Sequence, residues 1–188
     1  HAPAEPERKC GSPFPAPPVS FVDSEGRELT VRPLEFTDDA GFEALVSMYD
    51  DFDPSMRAQG IPPVDERRVR EWLGMLIDAE GYDVVAWDDD AERAVGHATL
   101  VPDGEAGYEL AIFVHQDYQG SGVGTRLIRT LLGYGVFRGV EDVWLTVERW
   151  NHAAVALYEK VGFAVTNQES FELEMDIDLS TAQTESTG

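Results

Sequence analysis

A mixed α/β sheet (α+β in its strand order), folded as one domain, is the class that this 188-residue sequence predicts. Three observations lead there. Apolar residues make up 43% of the chain, enough to bury a core. Hydrophobic spacing changes along the chain in the order strand, two helices, three strands, helix, strand, helix, strand or strands. At the end, Phe171, Leu173, Met175, Ile177 and Leu179 alternate with Glu172, Glu174, Asp176 and Asp178, the period-two pattern of a half-buried antiparallel strand.

Residues 1–20 hold six of the eleven prolines and read as an extended, mobile arm. The domain is expected over 21–179, and 180–188 is a polar tail. The chain opens at His1 rather than Met, which predicts a trimmed start. Residues 29–34 form the first strand. Thr37 then caps a helix with Asp38 and Asp39 in its first turn, favourable at the positive end of the dipole. Phe42, Leu45, Val46 and Tyr49 give that helix its apolar face. Residues 50–63, with three prolines and Gly60, read as a loop. Asp65 caps a second helix carrying Val69, Trp72, Leu73 and Leu76 on one side. Residues 82–87 and 94–101 make a hairpin across a polar turn, and 108–115 is a further strand. A glycine-rich turn leads into a third helix with Leu127, Ile128, Leu131 and Leu132 along it. Residues 143–148 form a strand and 151–161 a helix stopped by Gly162, with Phe163 supplying the hydrophobic contact of a C-terminal cap.

Charge removes several function classes. Asp and Glu number 36 against 14 Lys and Arg, a formal charge of -22, which excludes a basic nucleic-acid-binding face. No stretch approaches the ~20 apolar residues of a membrane helix, and no secretory leader is present, so a cytoplasmic location is expected. A lone Cys10 excludes an internal disulfide and a cysteine-rich zinc site. His1, His97, His115 and His152 show no ligand spacing, so no metal site is predicted. Lysine occurs only at Lys9 and Lys160, against twelve arginines. Excess carboxylate with almost no lysine suits a halophilic protein working in molar salt, where the Debye length falls to about 3 Å.

The segment from Val114 to Thr125, VHQDYQGSGVGT, carries the chemistry. A strand ends, glycines turn the chain, and a helix begins. Backbone N–H groups then converge at the positive end of a helix dipole, an anion site suited to a pyrophosphate. An ATPase phosphate loop would need a Gly-Lys-Ser/Thr run, and a dinucleotide fingerprint would need glycine at 125 after the first strand; neither is present.

Gln119-x-x-Gly122-x-Gly124 resembles the acyl-CoA pyrophosphate loop of the GNAT superfamily of N-acetyltransferases, whose pattern is Gln/Arg-x-x-Gly-x-Gly/Ala. A second match follows in register. Residues 143–148, then Asn151, Tyr158 and Gly162-Phe163, look like that family's strand, Asn-initiated helix, catalytic Tyr and terminal Gly-Phe. The resemblance covers about 30–179 and is strongest over 108–163. It implies a splayed central sheet, acetyl-CoA as co-substrate, and transfer of acetyl by direct attack to a primary amine, on a small molecule or a protein lysine or N-terminus. A non-catalytic acyl-CoA-binding module is the alternative, and the intact Tyr158 and available Glu109 favour the enzyme.

Carried over position by position, the resemblance implies that Ile112, Phe113 and Val114 lie on the splayed strand edge and offer backbone groups to the pantetheine arm and the thioester carbonyl. Gln119, Gly120, Ser121, Gly122, Val123, Gly124 and Thr125 would cradle the pyrophosphate, with Arg126 and Arg129 as local cations. Asn151 would bond the cofactor arm, and Tyr158 would place its hydroxyl near the sulfur as general acid. For the general base, Glu109 is the first candidate and Glu148 the second. The position five residues before Asn151, used by relatives that modify ribosomal protein N-termini, is Thr146 and cannot serve. His115 abuts the loop and reads as a surface histidine. The acidic linker 50–60 could hold a cationic acceptor or be a solvated loop, and its Arg57 region is faintly similar to acetyltransferase modules that modify protein lysines. The last strand could pair across a homodimer.

Overall fold

A computed structural model describes residues 13–35, 37–56 and 62–180. The chain begins with a hairpin of β1 (Val19–Val22) and β2 (Glu28–Pro33). Its turn is shaped by Asp23, whose carboxylate accepts the backbone N–H groups of Glu25 at 3.0 Å and Arg27 at 2.9 Å. Helix α1 (Asp39–Asp50) follows, capped by Asp38 rather than Thr37, because the Asp38 carboxylate accepts the Gly41 N–H at 2.8 Å. Helix α2 (Glu66–Asp78) starts at the expected Asp65 cap. Then come β3 (Tyr82–Asp88), β4 (Arg93–Pro102), β5 (Gly107–Val114), α3 (Val123–Phe137), β6 (Asp142–Glu148), α4 (His152–Val161), β7 (Ala164–Gln168) and β8 (Glu172–Asp178).

These strands form one eight-stranded sheet in the order β1-β2-β3-β4-β5-β6-β8-β7. Every pairing is antiparallel except β5 with β6, and that pair is joined only at Gly107, Tyr108 and Glu109. Beyond Glu109 the two strands part, which is the splay. Two cores result, because alternate residues of each strand face opposite ways. On one face, α3 and α4 bury Leu127, Leu131 and Tyr158 against Val84, Leu145 and Met175. On the other, α1 and α2 bury Leu45, Tyr49 and Leu73 against Val85. Further along that second face, β6 and β8 present Trp144, Thr146 and Glu148 opposite Asp176, Glu174 and Glu172. Carboxylates replace the apolar residues that a covering helix would need.

Two expectations change. Residues 13–20 are not an arm clear of the domain. Phe14 is 8% exposed and joins the larger core, Arg129 donates to the Pro13 carbonyl at 2.6 Å, and β1 begins at Val19. Counting prolines hid Phe14 and Phe21, whose burial ties this stretch down. Residues 1–12 and 181–188 lie outside the described residues. The terminal strand β8 is not an edge: β6 and β7 occupy both its sides, so the strand left for a homodimer partner at that end is the exposed β7. Among the described residues no helix is long and apolar enough to cross a membrane.

Candidate active site

The splay fixes which backbone groups of β5 are available. His115 N–H bonds to the Val95 carbonyl across the β4 ladder. Strand alternation therefore turns the peptide groups of Phe113 toward β4 and those of Ile112 and Val114 into the gap. Phe113 accordingly departs from its expected place: its groups face His97, and its ring packs among Tyr49, Trp72 and His97 on the α1–α2 face. The Ile112 and Val114 side chains line a cleft on the opposite face.

That cleft, about 450 Å³, runs from the gap to the start of α3 and is also lined by Gln119, Gly120, Gly122, Gly124 and Thr125. Gly120 and Gly122 have φ of +71° and +95°, left-handed values that cost a residue with a Cβ. Gly122 is the N-cap of α3, so the first N–H groups of the helix open onto the cleft. Gln119 donates from its side-chain amide to the Val114 carbonyl at 3.2 Å, tying the loop back to the strand. Two loop residues turn their side chains away from the cleft, leaving only their backbone groups for it. Val123 is fully buried in the core, and the Ser121 hydroxyl turns inward to donate to the Tyr118 carbonyl at 2.6 Å. Arg126 does not line the cleft; its guanidinium lies over the Phe21 ring at 5.0 Å.

The far wall comes from α4. Asn151 caps the helix by accepting the Ala154 N–H at 3.2 Å and also lines the cleft, with Ala153, Ala154 and Leu157. Tyr158, 9% exposed, reaches the same cleft, its ring edge-on to Phe163 at 5.9 Å. Burial pushes its hydroxyl up to about 12, so it keeps its proton through the neutral range.

The carboxylates lie elsewhere. Glu109 is half-buried on β5, paired with Val101 and Trp144, and faces the side opposite the cleft. Burial raises its affinity for a proton, and the charges of Asp103 and Glu172 add to the effect. Glu148 is exposed at the end of β6, in a shallow groove with Trp150, Glu169, Phe171 and Glu172. His115 is a correction. It is 2% exposed, its Nδ1 accepts the Asp117 N–H at 3.1 Å, and its Nε2 faces the Asp51 carboxylate at 2.8 Å. Gln116 adds two bonds, donating to the Asp51 carbonyl and accepting from the Asp53 N–H. These contacts join the linker after α1 to the loop before α3. Arg57 lies outside the described residues. Among the described residues no cluster of three His, Cys, Asp or Glu side chains could hold a metal ion.

Sequence reasoning missed Tyr118, Ala153, Ala154 and Leu157 in the cleft wall. Ala154 was legible, since it sits four residues before Tyr158 on its helix, and Leu157 follows as the residue three beyond Ala154. Tyr118 carried no such signal.

The splayed mixed sheet, the glycine-capped helix and the buried tyrosine meet at one cleft, as the resemblance to the GNAT superfamily implies, and comparison with known proteins agrees. Residues 45–163 match the Acetyltransferase (GNAT) family, and the chain belongs to that family. It is 46% identical over 52 residues to the [Ribosomal protein bS18]-alanine N-acetyltransferase of Escherichia coli, covering 28% of this chain and 35% of that protein. The GNAT domain of S. lividans PAT has a similar fold, with a TM-score of 0.72 at 16% identity over 86% of this chain and 97% of that one. So does yncA from Salmonella typhimurium, solved with acetyl-CoA, with a TM-score of 0.63 at 20% identity over 80% of this chain and 94% of that one. The chain spans only 34% to 64% of the length of curated relatives that it matches.

Proposed function

We propose that the chain is an acetyl-CoA-dependent N-acetyltransferase that passes acetyl directly to a primary amine. The observation that carries this reading is the convergence, on one cleft, of the glycine-turned loop, the unpaired edge of β5 at Ile112 and Val114, and Tyr158. The loop amides and the dipole of α3 would take the pyrophosphate. The gap in the sheet leaves the N–H groups of Ile112 and Val114 unclaimed by β6 and available to the pantetheine arm and the thioester oxygen. As the amine nitrogen bonds to the carbonyl carbon, the C–S bond breaks and Tyr158 gives its proton to the departing sulfur. The proton lost by the amine leaves through Glu109 or Glu148 on the opposite face. The acceptor is an amine, on a small molecule or on a protein lysine or N-terminus.

The test is release of coenzyme A thiol from acetyl-CoA in about 2 M potassium chloride, where the repulsion between an anionic cofactor and an anionic protein is screened. A panel of amines and lysine peptides is offered, with Tyr158→Phe as control. Tyr158-dependent release with any acceptor supports the reading. Binding of acetyl-CoA by calorimetry with no release from any acceptor leaves an acyl-CoA-binding module instead.

A further inference from the structure

Residues outside the glycine motif hold the phosphate loop in shape. The turn between β1 and β2 is docked against it at several points. Ser24 donates its N–H to the Ser121 carbonyl at 3.1 Å. Arg27 donates from Nη1 to the Asp117 carbonyl at 3.0 Å, and its guanidinium stacks over the Tyr118 ring at 4.0 Å. The guanidinium is itself oriented by Asp23, whose carboxylate accepts from Arg27 Nε at 2.8 Å and is fully buried. Tyr118 is held again at its hydroxyl, which donates to Asp88 and accepts from Arg93. Below it, the Ser121 hydroxyl closes the loop onto the Tyr118 carbonyl.

We infer that Arg27 is a positioning residue for the cofactor, acting through Asp117 and Tyr118 on the loop that would take the pyrophosphate; this rests on the reading that the cleft binds acetyl-CoA. Gly120 and Gly122 give the loop its left-handed turns, and at both positions a Cβ would meet nothing within 4 Å. The two glycines thus face open space between the buried Ser121 and Val123, so their backbone must be ordered either by the ligand or by the protein beforehand, and ordering before binding spares the ligand that entropic cost. The hairpin supplies the ordering. Arg27 also neutralises Asp23 beside the loop, where an unpaired carboxylate would oppose a pyrophosphate.

The experiment measures acetyl-CoA affinity by calorimetry, and KM and kcat by thiol release, in the wild type and two variants. Arg27→Met keeps an apolar stem over Tyr118 and loses the donors. The double variant Asp23→Asn with Arg27→Gln leaves no unpaired buried charge and keeps a carbonyl oxygen for the two turn N–H groups, so the hairpin stays folded. Both variants are expected to bind acetyl-CoA about tenfold more weakly and to raise its KM about as much, with kcat and acceptor KM retained. Faster hydrogen exchange at residues 120–124 accompanies the loss. The weakening persists in 1 M potassium chloride, where the Debye length is about 3 Å, because it comes from loop order. Unchanged affinity in the double variant overturns the inference. So does a loss that disappears in 1 M salt, which would make Arg27 a distant charge only, or a loss shared equally by kcat and acceptor KM. Failure of the wild type to bind acetyl-CoA is visible before any variant is made and overturns the cofactor reading itself.

Discussion

Removing one oxygen tests the proposed acid directly. Tyr158→Phe keeps the ring against Phe163 and the wall of the cleft, and deletes only the hydroxyl. The hydroxyl is buried and pushed up to about 12, so at pH 8 only about one molecule in ten thousand lacks the proton. A donor of this kind stabilises the sulfur as charge develops on it. The same burial acts on the departing thiolate, another anion in the same site, and brings the two proton affinities closer than 12 and the ordinary thiol value of about 8.5 suggest. A donor placed at developing charge in a desolvated site contributes about 2.7–4 kcal/mol, which is a factor of about 100–1,000 in kcat. The assay is thiol release at saturating acetyl-CoA between pH 7 and 10, with affinity measured separately by calorimetry. Expected is a fall of about 100-fold or more in kcat with affinity unchanged. The protonated form is the active one, so activity would decline only as pH rises through about 12, and the wild type shows no Tyr158-dependent decline below pH 10. A loss in kcat of less than about threefold would refute the acid role.

Three further outcomes are expected. Glu109→Gln lowers kcat/KM about 100-fold and removes the rise in kcat/KM with pH, which in the wild type follows deprotonation of a carboxyl raised by burial, Asp103 and Glu172; a pH–rate profile checks both effects. Asp176, raised to about 6 by burial and by its hydrogen bond with Asp142, costs stability when ionised, so this cost is absent below about pH 4, grows as pH rises from about 4 to about 6, and is constant above that. Asp176→Asn therefore stabilises the fold by about 1 kcal/mol at pH 7, after allowance for solvent screening, and by nothing at pH 3.5, as read from denaturant midpoints. Finally, if the charge of -22 is an adaptation to salt, the thermal midpoint rises from 0.1 M to 2 M potassium chloride; a midpoint that does not move removes that reading.

Elements with a local signal were legible in the sequence. The α2 and α4 caps at Asp65 and Asn151 and the Gly162 stop follow from capping chemistry, which acts within three or four residues. The Gly120–Gly122 turns are likewise signalled by the glycines themselves. What was not legible depends on tertiary pairing. The β1 strand, Val-Ser-Phe-Val, is only four residues long and directly follows Pro17-Pro18, and only its pairing with β2 and the burial of Phe21 make it a strand. His115 reads as a surface residue until α1 brings Asp51 to it from 64 positions away. The buried chain from Asp83 through His97 to Tyr49 is equally silent, since its members come from three separate elements. Arg126 was placed by its position after the glycines, yet an aromatic ring of the unforeseen hairpin takes its guanidinium.

Strand geometry constrains how Glu109 could act as a base. Along β5 the chain advances about 3.3 Å per residue, so Ile112, the first residue with peptide groups in the gap, lies about 10 Å from Glu109. The carboxylate reaches only about 4–5 Å from its own backbone, and it lies on the opposite face from the Ile112 side chain. Direct removal of a proton from an amine seated at the gap is beyond that reach. A base at Glu109 therefore works through one or two waters held on the open carboxylate face, beside Asp103 and Glu172. A water chain tolerates a shift of one methylene; a direct contact does not. Glu109→Asp should accordingly keep most of the activity that Glu109→Gln loses, read as kcat/KM at pH 8. If Glu109→Asp is as impaired as Glu109→Gln, the proton does not travel by water from this carboxylate. Glu148, exposed at the open end of β6, would then be the base to test next.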